Sequence, residues 1–184
     1  MSSPYLLILL LVPLAGSAAV ALLPGQDERP AKVVTLLTSL VVLVITIVAG
    51  AAFEPRGERF QFAFSKSWIP AFGVHFALGV DGIALVLIAL VAVLVPCVVL
   101  ASWNEVAPAG RNPKTFFALL LLLEVFMIGV FAATDVFLFY VFFEAMLIPM
   151  YFLIGRFGGP RRQYAAVKFF LYSLFGGLIM LASL

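Results

Sequence analysis

The stretch FLFYVFFEAMLIPMYFLIG, residues 137–155, decides how this chain is read. It is long enough to cross a bilayer, since a spanning helix needs about 20 mostly apolar residues. Its one ionisable side chain able to carry a full charge near neutral pH, Glu144, falls in the middle, where almost nothing can solvate it. The surrounding sequence is of the same kind. Of 184 residues, 65% are hydrophobic and 11% charged, against about 45–50% and about 25% in a soluble domain. With a mean hydropathy of +1.21, the chain reads as an all-α integral membrane protein.

Six segments have spanning length: roughly 4–23, 31–52, 82–102, 114–132, 135–155 and 163–184. The first has no Lys or Arg ahead of it and stays apolar to Leu23, so it reads as a retained span, not a cleaved leader. The last is still apolar at Leu184, which reads as a fragment of a longer protein. With the N-terminus outside, the inner loops hold Arg29, Lys32, Arg111, Lys114, Arg156, Arg161 and Arg162, and the outer loop Arg56, Arg59 and Lys66. Seven against three favours that orientation by the positive-inside rule. The net charge of +2 marks one side of a bilayer and gives no reason to expect nucleic acid.

The outer loop, about 53–81, is long. Val74, Phe76, Leu78 and Val80 alternate with smaller or polar residues, as do Phe60, Phe62 and Phe64, with Pro70 and Gly73 between the runs. This pattern predicts a small hairpin on the outer face. His75 falls on its solvated side. Asp81 and Asp135 precede apolar runs and are placed to cap helices. Cys97 lies in an apolar run and reads as a small buried hydrophobe. No glycine-rich nucleotide loop, Cys/His metal spacing or nucleophile triad occurs.

Glu124, Glu144 and Lys168 are the ionisable residues inside spans. A charge at mid-bilayer costs at least about 2.5–3.5 kcal/mol, and such residues commonly mark ion or proton paths. The bland alternative for each acid is a neutral group joining two helices by hydrogen bonds. Spans four and five meet at a short turn, so Glu124 and Glu144 each lie about ten residues, or roughly 15 Å, from it. Two acids at one depth on neighbouring helices cannot readily both be charged, so protonated is their default. Tyr140, Glu144 and Tyr151 share one helix face. Pro149 deprives the Ala145 carbonyl of its usual donor, leaving an acceptor that water can satisfy. Pro13 and Pro96 have no ionisable group beside them and read as kinks. Lys168 is flanked one turn away by Tyr164 and Tyr172. It leans toward the inner surface while Glu144 leans outward, so it either snorkels or forms a second station reached through water.

These residues carry a resemblance. DVFLFYVFFEAMLIPMYFLIGRFGG (135–159), FALGVDGIAL (76–85) and AAVKFFLYSLFGGLIMLASL (165–184) resemble the chain M family of bacterial NADH–quinone oxidoreductase, respiratory complex I. That family is related to the large subunits of multisubunit cation/proton antiporters. The resemblance implies the first part of a roughly fourteen-helix proton-translocating subunit built on inverted repeats. It places the key glutamate of the first half-channel on Glu144, with a lysine partner beyond Leu184, and the span-six lysine on Lys168. Glu124 rests on the depth argument. It implies a bacterial inner membrane location, partnership with other membrane subunits, the lipid bilayer, protons and water, and flavin, iron–sulfur clusters and quinone held by partner subunits. No cofactor or metal ligand is expected in this chain. The alternatives are a subunit of a sodium/proton antiporter, which would use the same glutamate, and a structural membrane scaffold.

Overall fold

A computed structural model describes residues 4–23, 28–104 and 112–183. Arg111 and Leu184, assigned above to an inner loop and to the sixth span, lie outside the described residues. The elements in chain order are α1 (Tyr5–Leu22), α2 (Glu28–Ala51), β1 (Gln61–Ile69), a 3-10 turn (Pro70–Phe72), β2 (Val74–Val80), α3 (Gly82–Ala101), α4 (Pro113–Ala132), α5 (Val136–Phe157) and α6 (Arg162–Ser183). All six α-helices are long and apolar enough to cross a membrane. Many large side chains on α2, α3 and α6 point outward, among them Leu37, Ile47, Val86, Leu90, Leu171 and Ile179. In water this would be costly; in a bilayer such positions suit lipid tails or other apolar helices equally.

Because lipid is as apolar as leucine, helices here associate through close packing and hydrogen bonds. Residues Leu6, Leu9, Pro13, Gly16, Ser17 and Val20 of α1 recur at helical spacing and are buried. Ser17 donates to the Ala118 carbonyl of α4 at 2.8 Å. Gly16 lies against α2 so closely that a Cβ there would fall 2.5 Å from Thr38 Cγ2. The buried stripe of α2 is Ala31, Thr35, Ser39, Val42, Thr46 and Ala49. Its threonine hydroxyls donate back to carbonyls one turn earlier, Thr35 to Ala31 and Thr46 to Val42, so small polar side chains enter the core with their donors satisfied. Helix α4 is the centre, packed on α1, α2, α3 and α5, whereas α6 packs mainly on α5.

Strands β1 and β2 form an antiparallel hairpin. Val74, Leu78 and Val80 are buried and His75 is exposed. The Phe60–Phe62–Phe64 alternation is interrupted. An extra residue in β1 between Gln61 and Phe64 forms a bulge, and Phe62 takes a left-handed φ of 56°. That geometry is uncommon for a bulky residue. Here it lets the Phe62 ring meet Tyr5 of α1 edge-on at 5.2 Å.

Two other expectations need correcting. Cys97 faces outward from α3, because the buried residues Val95, Pro96 and Val99 occupy the other side of the helix. Lys114 is no loop cation: it lies in the first turn of α4, 5% exposed, with Nζ 3.4 Å from the Leu23 carbonyl at the end of α1.

Candidate functional site

Glu144 is half-buried on α5. The side of α6 that meets α5 is defined by Ala166 and Gly177, the buried residues of that helix. Eleven residues are close to three turns, so these two small residues share one face. Ala166 rests against Gly155 of α5, whose Cβ, if present, would be 3.2 Å from the Ala166 Cβ. Gly177 rests against the Glu144 carboxyl itself. A Cβ at Gly177 would collide with Oε1 and lie 3.3 Å from Cδ. The acid is therefore lodged against bare helix backbone, and its Oε1 has no hydrogen-bond partner among the described residues. Tyr140 stands one turn before Glu144 on the same face, and the Tyr151 ring packs edge-on against Phe170 of α6 at 5.7 Å. Pro149 is buried within a continuous α5.

Glu124 is fully enclosed, 0% exposed, and neither carboxyl oxygen has a hydrogen-bond partner among the described residues. The sequence places it level with Glu144, but the structure does not bring the two together. Gly129 of α4 faces Phe142 of α5, so closely that a Cβ there would fall 2.5 Å from the ring. At 100° per residue, Glu144 lies about 200° around α5 from Phe142, and Glu124 about 140° around α4 from Gly129. Glu144 turns from the Phe142 contact toward Gly177 of α6, and no hydrogen bond joins it to Glu124.

Lys168 is also separate. It lies about 180° around α6 from Gly177, exposed, with Nζ 5.9 Å from the Tyr164 ring centre and 5.8 Å from that of Tyr172. The two rings form a cation–π clamp for an ammonium group facing away from α5.

Asp81 and Asp135 are both at helix starts. Asp81 Oδ1 accepts from the Ala84 amide at 2.8 Å. Asp135 Oδ1 accepts from Phe137 and Leu138 at 2.9 and 3.2 Å. Its second oxygen accepts from the His75 amide of β2 at 3.0 Å. The Thr134 amide donates to the Ala77 carbonyl at 3.0 Å, so the hairpin is clamped onto the α4–α5 turn. These three amides, His75 first, together with the nearby imidazole, hold the Asp135 carboxyl below the usual aspartate range despite an opposing contribution from desolvation.

Sequence reasoning missed Gly177, the His75–Asp135 bond and the burial of Lys114. Only Gly177 carried a signal, the Gly176–Gly177 pair inside an apolar helix, where close backbone approach is the usual reason for glycine. Among the described residues no group of three His, Cys, Asp or Glu side chains is placed to hold a metal.

Over nearly its whole length the chain is similar to several known proteins. A family model described as NADH:quinone oxidoreductase/Mrp antiporter, transmembrane region, matches residues 133–184. NADH-quinone oxidoreductase subunit M of Mycobacterium tuberculosis H37Rv is 47% identical over 98% of this chain and 37% of the relative. Subunit M of Rhodobacter capsulatus is 39% identical over 96% of this chain and 34% of the relative. A chain of respiratory complex I from Thermus thermophilus superposes with a TM-score of 0.80 at 29% identity, over 96% of this chain and 34% of that one. A chain of the Mrp complex from Dietzia shares the fold, with a TM-score of 0.78 at 22% identity over 96% of this chain and 18% of that one. The chain thus spans little more than a third of the length of these curated relatives.

Proposed function

We propose that this chain, which is homologous to the N-terminal part of subunit M of NADH-quinone oxidoreductase, contributes the entry half of a proton path in such a complex. Glu144 is its proton-carrying group. The observation that supports this is the carboxyl lodged between α5 and α6, with Oε1 against Gly177 and no hydrogen-bond partner among the described residues. A charge created there has no counter-ion among the described residues, so its proton occupancy is set by what approaches it. A cation brought near favours the carboxylate and releases the proton; its withdrawal favours the acid and takes one up. Tyr140 hands protons to or from the carboxyl, and Tyr151 packs the α5–α6 seam beside it. Lys168 serves as a second station reached through water. The hairpin side lies outside and the ends carrying Arg156 and Arg162 inside a bacterial inner membrane. Flavin, iron–sulfur clusters and quinone belong to partner subunits, and neighbouring membrane subunits cover the outward apolar faces.

The test is NADH-driven proton uptake in inverted vesicles from cells expressing the full-length protein. Glu144→Gln, which keeps shape and removes the titratable proton, lowers uptake by about a hundredfold. NADH oxidation by an artificial acceptor continues, because electron transfer lies in other subunits. Unchanged proton uptake refutes the role. Sodium/proton antiport without redox partners is the second reading, favoured by the pairing of NADH enzymes with Mrp antiporters in the matched family. An assembly that purifies with no NADH-oxidising partner would establish it.

A further inference from the structure

The α5–α6 hairpin ends in positive charge with no counter-charge among the described residues. Arg156 closes the last turn of α5, and Arg161 and Arg162 stand at the start of α6. From Ala145 to Leu184 the sequence has no aspartate or glutamate. Among the described residues none of these arginines forms an ion pair. A cleft of about 280 Å³ opens between the two helices at this level, lined by Tyr151, Gly155, Arg156, Arg162, Gln163 and Ala166. It is there because Gly155 and Ala166 bring the helices close without filling the space above them. Deeper along the same pair, a hollow of about 350 Å³ is lined by Ile148, Tyr151, Val167, Phe170 and Leu171. Tyr151 borders both, so they adjoin as one groove. Ile148 lies eight residues before Arg156, about 12 Å deeper into the membrane.

We propose that this groove binds an anionic phospholipid, with its phosphate between Arg156 and Arg162 and an acyl chain along Val167 and Leu171. Guanidinium groups bind phosphate oxygens bidentately. Gln163 adds a side-chain amide, and the positive end of the α6 dipole favours negative charge. A soluble anion would use only the polar end; the apolar hollow continuing from it matches a lipid tail. The charge also selects: a zwitterionic headgroup brings a cation of its own into a site already holding two. Basic pockets between helices on the inner membrane side are suited to such headgroups. This inference is independent of the role of Glu144.

The test uses the membrane complex in phosphatidylcholine nanodiscs with a trace of photoreactive phosphatidylglycerol. Label is expected on peptides within 148–171, displaced by unlabelled phosphatidylglycerol but not by inorganic phosphate or phosphatidylcholine. Arg156→Gln/Arg162→Gln is expected to lower labelling there about tenfold. Arg56→Gln/Arg59→Gln, the same charge change on the outer loop, leaves it intact. If the inner double variant fails to assemble, the competition arms on the unmodified protein decide. Displacement by inorganic phosphate, label confined to other peptides, or a photoreactive residue at Val167 crosslinking to protein instead of lipid would each overturn the proposal.

Discussion

The α1–α4 core and the α5–α6 hairpin are both built from helices apolar enough to span a membrane but packed to different ends. Half of the α4 span is buried inside the chain, against 11% of the α6 span. Each region holds one acid at mid-span. Glu124 in the core is sealed on every side; Glu144 in the hairpin is half-buried, with one oxygen against a glycine and a tyrosine one turn before it on the same face. A sealed acid cannot exchange a proton without the core opening. One at a thin two-helix seam can do so with small movements. Depth in the membrane is shared; access is not.

The largest test of this contrast is the pair Glu144→Gln and Glu124→Gln. The first is expected to lower NADH-driven proton uptake about a hundredfold, and the second to leave it within about twofold, as a similar-sized side chain in a place the proton path does not visit. Equal losses in both would mean that the two acids act as a unit and that the difference in access is irrelevant.

Next in size is Gly177→Ala. One methyl group collides with Glu144 Oε1, so either the carboxyl or α6 must move. Displacement by about 1 Å is enough to lower uptake by about tenfold. Gly176→Ala places its methyl in open space and should pump normally. That control separates a positional effect from a change in helix propensity.

How much of this was readable in advance follows from where the information lies. Span existence is written locally, in runs such as Gly82–Ala101, and the hairpin in the alternation of Val74 to Val80. The depth of each acid follows from counting residues back from the Ala133–Thr134 turn. The direction each acid faces is not local. Helix α4 is apolar all round, so its sequence does not say which side meets α5, and the Gly129–Phe142 contact appears only once both helices are in place. The Gly177–Glu144 contact has the same character, joining residues 33 positions apart by number.

The α4–α5 contact can itself be pushed. In Gly129→Ala the new Cβ meets the Phe142 ring at 2.5 Å. The ring cannot withdraw freely, since it also packs against Phe76 of the hairpin at 6.5 Å between centres. Overpacking of this kind costs about 1–3 kcal/mol. A lowered thermal midpoint in detergent, largely restored by adding Phe142→Leu, is the expected result.

The smallest effect concerns how the hairpin is tied to the seam between the two regions. Asp135→Ala removes the cap of α5 and the acceptor for the His75 amide together. Losing the cap alone costs about 1 kcal/mol. Amide exchange at His75, Phe137 and Leu138 should accelerate about fivefold while the α1–α4 amides stay protected. In the unmodified protein pH should produce the same loosening. Folding lowers the Asp135 pKa, so its contribution is full above the ordinary aspartate value, near 3.9. It is lost as pH falls through the lower folded value. Protection at these amides should therefore hold from neutral pH to about 4 and fall only below it. The change should be modest, because water reaches the carboxyl and screens it. A loss already complete well above the aspartate range instead would remove Asp135 from the clamp.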